Sequence, residues 1–321
     1  MSIISVENLT KDYGLGRGIF DVSLEVEKGE IYGYVGTNGS GKTTTIRNML
    51  GFVFPDSGKV RIDGLDPTKQ AAELMRHVSY IPGEIAFPNL STGTDFLKLQ
   101  AEYNGITDFT YMNYVADKLD LDTTANLKRM SKGMKQKTAI VAALMADRDI
   151  LILDEPTTGL DPLQRDNFLE LLRDEKKKGK TIFLSGHIFE ELEEVCDRVA
   201  MLKNGHILGV VNMYDLRHRT DRSYEITFIS PDSALSFAAR IRAAGLAEND
   251  AGLSEPEDDG FLAGLEKPGI QNVRTDGCKV TLSLPPEKSD DLFKAMAGYK
   301  ILGIKEANET LEDVFMKEYR K

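Results

Sequence analysis

Residues 36–45 read GTNGSGKTTT and follow the apolar run IYGYV. Gly36, Thr37, Asn38, Gly39, Ser40, Gly41, Lys42 and Thr43 fill the pattern G-x-x-x-x-G-K-[ST] without a gap. Glycines allow backbone torsions that a Cβ forbids, so successive amides can turn inward around an anion. A helix beginning at this point aims its positive end at the same anion. Such a loop is built to hold nucleotide phosphates. Lys42 would reach the β- and γ-phosphates, and the Thr43 hydroxyl would bind Mg²⁺. A glycine-rich turn with a chance lysine would also read this way in part. The complete motif, with a strand before it and a helix after it, favours the phosphate loop.

A phosphate loop needs an acidic partner, and ILILDEP at Ile150–Pro156 supplies one. Its four apolar residues read as a buried central strand. Asp154 and Glu155 then fall at the strand's end, where open parallel sheets bind ligands. Asp154 would hold Mg²⁺, and Glu155 would polarise the attacking water as general base. An acidic helix start after a core strand is the bland alternative. Beside a full phosphate loop it explains less.

These residues require a scaffold of strands and helices, and the chain offers one. ISVENL, VSLEV, IYGYVG, KVRIDG, VSYIP, ILILDEP, TIFLSG and VAMLKNG read as strands. GKTTTIRNMLGF, TDFLKLQAEYNG, YMNYVADKLDL, GMKQKTAIVAALMA, PLQRDNFLELLRDEKKKG and IFEELEEVCDRV read as helices. The alternation predicts an α/β domain with a mainly parallel sheet. A helical subdomain is expected over about 87–146. From about residue 220 the pattern changes to SYEITFIS, ALSFAARIRAAG, KVTLSLPP and DDLFKAMAGY, which predicts a small C-terminal α+β domain. The acidic stretch SEPEDDG within it reads as a loop or insertion. The expected domains are therefore 1–217 and 220–321.

The bulk numbers bound the function. The chain has 321 residues, 41% hydrophobic and 28% charged, as in ordinary globular proteins. Its net charge of −11 offers no general field for nucleic acid, which needs clustered cations. Two distant cysteines, Cys196 and Cys278, without metal-ligand spacing, fit a reducing cytoplasm rather than a disulfide framework. The N-terminus has no signal-peptide pattern. No stretch reaches the roughly 18 apolar residues of a membrane helix, so work at a membrane would need another chain to span it.

Further motifs narrow the reading. MSKGMKQK at Met130–Lys137 resembles the LSGGQ signature of ATP-binding cassette (ABC) proteins. TTGLD at Thr157–Asp161 is similar to their D-loop. SGH at Ser185–His187 stands where their switch histidine follows a strand, and Tyr13 resembles the aromatic residue that stacks on adenine. Taken singly, Ser131 could be a helix cap, His187 structural and Tyr13 packing. The set occurs in the family's order over about residues 3–215.

The resemblance implies a P-loop ABC ATPase core with an antiparallel β subdomain beside the parallel sheet. It implies ATP and Mg²⁺ as ligands, with ATP held by Tyr13, the loop from Gly36 through Thr43, and Thr44. It also implies a homodimer in which Ser131 and Gly133 of one copy complete the site of the other. Asp161 would bridge the two sites, and Glu155, His187 and Lys42 would carry catalysis. Two departures stand out. Lys132 and Met134 replace the signature's first glycine and final glutamine. In YIPGE, the position usually held by glutamine reads Gly83. Glu84 is the expected substitute as a metal-sensing group, since its carboxylate is a hard oxygen ligand.

The wording from YIPGE through SKGMKQK to ETLEDVFMKEY looks like the ATP-binding subunits of ABC-2-type drug and antibiotic exporters. Those subunits carry one cassette and a small C-terminal domain, and work with a separate permease. The chain is thus expected to be cytoplasmic, peripheral on the inner face of the cell membrane, with no nucleic-acid partner. The alternative is a soluble ABC ATPase acting on ribosomes or nucleic acid. Ribosomal types usually carry two cassettes with basic linkers, and chromosome-organising types insert long heptad coiled coils. This chain has one phosphate loop, an acidic balance and no such heptads.

Overall fold

The structure is a computed structural model that describes residues 2–217, 222–242, 270–285, 289–306 and 310–320. It divides into two compact units, Met1–Met213 with Leu311–Lys321, and Tyr214–Thr310.

The first unit runs through β1 (Ser2–Asp12), β2 (Gly18–Glu27), β3 (Ile31–Gly36), α1 (Lys42–Met49), β4 (Ser57–Ile62), α2 (Pro67–Leu74) and β5 (Val78–Ile81). It continues with α3 (Gly93–Asn104), α4 (Thr110–Lys118), α5 (Lys132–Met145), β6 (Ile150–Asp154), α6 (Pro162–Lys177), β7 (Thr181–Gly186), α7 (Phe189–Val195), β8 (Arg198–Lys203) and β9 (His206–Asn212). The short helix α8 (Met213–Arg217) follows.

The strands form a six-stranded sheet in the order β5-β6-β7-β3-β8-β9, parallel except for β9. A second, antiparallel sheet has the order β2-β1-β4. Every residue of β3 and β6 is buried, as expected for strands covered on both faces. Tyr32 and Tyr34 both pack their rings on Phe183 in the core, and the Tyr34 hydroxyl lies 3.0 Å from Thr45 Oγ1, pinning β3 to α1. Burial pushes the Tyr34 phenol far above its ordinary value, so it stays a neutral partner.

The helices α3, α4 and α5 fall within the expected helical region. α3 starts in a capping box in which the Thr92 and Asp95 side chains each accept the other's backbone N–H. α4 is tied to α6 by the Asn167 amide donating to Lys118 O and by the Tyr111 hydroxyl donating to Glu175. Burial opposes the charge on Glu175, but bonds from Lys178, Lys180 and Tyr111 outweigh it and hold its carboxyl below the usual range.

The second unit contains β10 (Arg222–Phe228), α9 (Pro231–Ile241), β11 (Gln271–Asp276), β12 (Lys279–Leu284), α10 (Ser289–Met296) and β13 (Ile301–Glu306). Its antiparallel sheet has the order β11-β12-β10-β13, the split βαβ arrangement of ferredoxin-like domains. Alternate residues Tyr224, Ile226 and Phe228 of β10 face Phe237 of α9 and Leu292 of α10 in its core. The expected SEPEDDG insertion lies outside the described residues.

Two expectations shift. The helix read through Val199 stops at Val195, because Cys196 is extended and Arg198–Lys203 pairs in parallel with β3. The division expected at 217/220 moves to Met213, and α11 (Leu311–Arg320) belongs to the first unit, not the second. Leu311 and Phe315, four apart and so on one helix face, are both buried there.

Candidate functional site

The sheet order sets the site. β6, β7 and β3 are successive neighbours, so the loops after all three leave the same carboxyl edge. Register aligns them, with Asp154 beside Ser185 and Ser185 beside Tyr34. Residues far apart in sequence thereby meet.

The phosphate loop turns at Gly41, which has φ 114° and caps α1. A Cβ there would sit 2.6 Å from Ile19 Cγ2, so β2 packs too closely for any residue but glycine. Lys42 is 4% exposed and folds over its own loop. Its ammonium donates to Gly36 O at 2.8 Å and Thr37 O at 3.3 Å, and pairs with Glu155 Oε1 at 3.1 Å. Glu155 Oε2 in turn lies 3.3 Å from His187 Nδ1. Lys42, Glu155 and His187 thus form one line across the strand ends.

A second line runs beside it. The Thr43 hydroxyl donates to Asp154 Oδ2 at 2.7 Å, and the Ser185 hydroxyl donates to Asp154 Oδ1 at 2.7 Å. The Glu155 N–H reaches both Ser185 O, at 3.2 Å, and Ser185 Oγ, at 3.1 Å. Those bonds hold Glu155 in the left-handed region at φ 49°, a conformation that non-glycine residues adopt only under local constraint. Sequence reasoning gave Ser185 no role. A single serine at a strand end carries no signal, and only the lateral register reveals it.

The loop fits an anion and a hard cation. Ser40 Oγ is buried with no hydrogen-bond partner, and a Cβ on Gly36 would lie 2.5 Å from it. Thr43 and Asp154 offer hard oxygens within one hydrogen bond of each other. Among the described residues no group of three or more His, Cys, Asp or Glu side chains could hold a metal. A divalent ion held by these two oxygens would complete its shell from phosphates and water, the habit of Mg²⁺.

The remaining expected residues lie elsewhere. Tyr13 is half exposed at the tip of the β1–β2 hairpin, its N–H donating to Arg17 O, with the Lys11 ammonium 5.9 Å from the ring centre. Ser131 caps α5 by accepting the Met134 N–H at 3.2 Å. Asp161 likewise caps α6 through the Gln164 N–H at 3.0 Å. Gly133 meets the loop before α6, since a Cβ on it would lie 2.6 Å from Gly159 O. Among the described residues, no hydrogen bond or ion pair joins Ser131, Gly133 or Asp161 to the phosphate loop. Gly83 approaches Asp154, a Cβ there lying 3.4 Å from Oδ2, while Glu84 is exposed.

A family model described as ABC transporter matches residues 19–158, which span the phosphate loop and the Asp154–Glu155 strand end. A bacitracin transport ATP-binding protein, BcrA of Bacillus licheniformis, is 33% identical over 237 residues, 73% of this chain and 78% of the relative. The chain belongs to the ABC transporter ATP-binding family. A solved ATP-binding subunit of an ABC transporter shares 31% identity with this cassette, at a TM-score of 0.61 over 68% of this chain and 93% of the other. The ATP-binding cassette MJ0796, solved as a post-hydrolysis dimer bound to ADP and Pi, aligns at a TM-score of 0.59. It is 21% identical, covers 65% of this chain and 98% of its own, and so speaks for the fold alone. The cassette binds and hydrolyses ATP, as its family does. Its sheets and helices are those of an ABC ATPase.

Proposed function

We propose that this cassette powers export by a separate membrane permease, closing as a homodimer around ATP and opening after hydrolysis. One observation carries the reading. Lys42, Glu155 and His187 stand in line beside the Thr43–Asp154–Ser185 cluster, whereas Ser131 and Gly133 stand at the N-terminus of α5. In this reading a second copy would bring its Ser131 and Gly133 to the phosphate loop.

ATP phosphates would compete with Glu155 for Lys42, since a phosphate is the stronger anion for that ammonium. Glu155 is then released from Lys42 while still beside His187, positioned to take a proton from water. Asp154 and Thr43 would hold Mg²⁺, which, when bound, offsets charge on the phosphate oxygens. The Ser185 hydroxyl fixes the Asp154 carboxylate for that purpose. His187 would contact the γ-phosphate, Tyr13 would stack on adenine, and the Thr37, Asn38, Gly39 and Thr44 backbone would line the phosphates.

No helix among the described residues is long and apolar enough to cross a membrane. BcrA is named for bacitracin transport, and an exporter ATPase docked on the inner face of the membrane is the corresponding proposal here. Two measurements test it. Glu155→Gln loaded with MgATP is expected to elute as a dimer, and the same protein with Ser131→Glu as a monomer, because the new carboxylate would oppose the γ-phosphate. Normal dimerisation of the Ser131→Glu form would reject the composite site. Expressed with its permease, the wild-type chain is expected to sediment with membranes, and stripping the permease should release it.

Glu84 is proposed to stand in for the glutamine missing at Gly83. Glu84→Ala is then expected to reduce permease-stimulated hydrolysis about 10-fold with less effect on ATP affinity, and Glu84→Gln to retain most activity. Unchanged stimulated turnover in Glu84→Ala would leave Glu84 a surface residue.

A further inference from the structure

α7 is the element that follows His187, with only Ile188 between them. It spans seven residues, and its N-cap, Ile188, makes no side-chain cap bond. So short a helix does not hold its position through its own backbone bonds; its neighbours must place it. Its middle is anchored to the cassette core. Leu192 packs on Gly186, and Glu191 accepts the Thr157 hydroxyl at 2.7 Å and pairs with Arg165 at 2.8 Å.

Its first residue is held differently. Phe189, two residues past His187, packs its ring against Phe315 of α11, with centroids 5.1 Å apart. Phe315 is buried and also meets the Tyr319 ring at 5.4 Å. The Leu311 N–H donates to the Glu193 carboxylate, and the Lys203 ammonium donates to Tyr319 O while lying 4.0 Å from the Tyr319 ring centre. One face of α11 therefore seats on α7 and is pinned to β8.

We infer that α11 is a positioning element for His187, with Phe315 acting through Phe189 to set where the imidazole stands against Glu155. The inference rests on the proposed role of His187 in ATP hydrolysis. The His187–Glu155 approach is 3.3 Å, and displacement of a positioned group by about 1 Å costs up to ~100-fold in rate. A displaced Phe189, next but one to His187 in the chain, is enough to do that.

The test is a double-mutant cycle on the full chain, with its permease present, reading phosphate release against ATP concentration. Phe315→Ala is expected to lower kcat about 10-fold with KM for ATP within about twofold, and Phe315→Tyr to restore most of the rate. In a His187→Ala background, Phe315→Ala is expected to cost nothing further, because the residue it acts through is gone. An equal loss in both backgrounds would show a merely structural role and overturn the inference, as would an unchanged kcat in Phe315→Ala. Full activity of His187→Ala alone would instead remove the role of His187 on which the inference rests, and that outcome is separately visible. Urea unfolding of each variant, with Phe315→Tyr as the packed control, separates lost positioning from lost folding.

Discussion

Glu155→Gln is expected to bind MgATP with near-native affinity and to release phosphate ~10²–10⁴-fold more slowly, the range that a general base contributes. The amide keeps the size of the carboxylate and the backbone bonds to Ser185 that hold φ at 49°. It loses only the charge that pairs with Lys42 and the basicity that would take a proton. Stopped-flow phosphate release, with nucleotide affinity measured in parallel, checks both halves. Turnover near the wild-type rate would remove Glu155 as base. A matched loss of affinity would show instead that its charge matters for binding. His187, 3.3 Å from the same carboxylate, would be the next group to examine.

Lys42→Ala is expected to weaken ATP binding by roughly 100-fold or more and to abolish measurable hydrolysis. The ammonium is nearly buried, and truncating one partner of a buried charge pair typically costs about 2–5 kcal/mol. Here the truncation also strands Gly36 O, Thr37 O and the Glu155 carboxylate, which Lys42 satisfies in the structure. The nucleotide-free protein should therefore lose stability as well. Equilibrium binding of a fluorescent ATP analogue, set beside a urea curve of the free protein, divides the two effects. Retained affinity in a folded Lys42→Ala protein would overturn the phosphate-loop assignment.

Much of this site was legible because its chemistry sits in contiguous motifs. Gly36–Thr43 names the loop, and four apolar residues before Asp154 name the strand that carries the acid. Local pattern also foretold which segments become α1, α5 and α6. What it missed depends on neighbours in space. Ser185 matters only because β7 lies between β6 and β3, and no local pattern states that order. β13, with a glycine inside and mostly exposed residues, lacks the alternation that marks a half-buried strand. α2 was overlooked although Asp66 and Pro67, an N-cap and an N1 proline, are a helix-start signal. The stop of α7 at Val195 was hidden because Asp197 and Arg198 extend its charged face in sequence, while pairing with β3 ends it in space. For α11, four-residue spacing gives an apolar face and no hint of the helix that receives it.

The first unit is discontinuous, since α11 comes to it only after the chain has traversed Tyr214–Thr310. Translation at about 5–20 residues per second puts on the order of 10 seconds between the making of α7 and the making of the helix that covers it. In that interval the nascent cassette holds its phosphate loop, its acidic strand end and His187, while Phe189 has no ring to pack on. An incomplete chain that stops inside the second unit would be left with the same uncovered helix. Assembly of the first unit is thus timed by synthesis of the second, and a chain cut short before Leu311 carries every motif of the site without the helix that packs on α7.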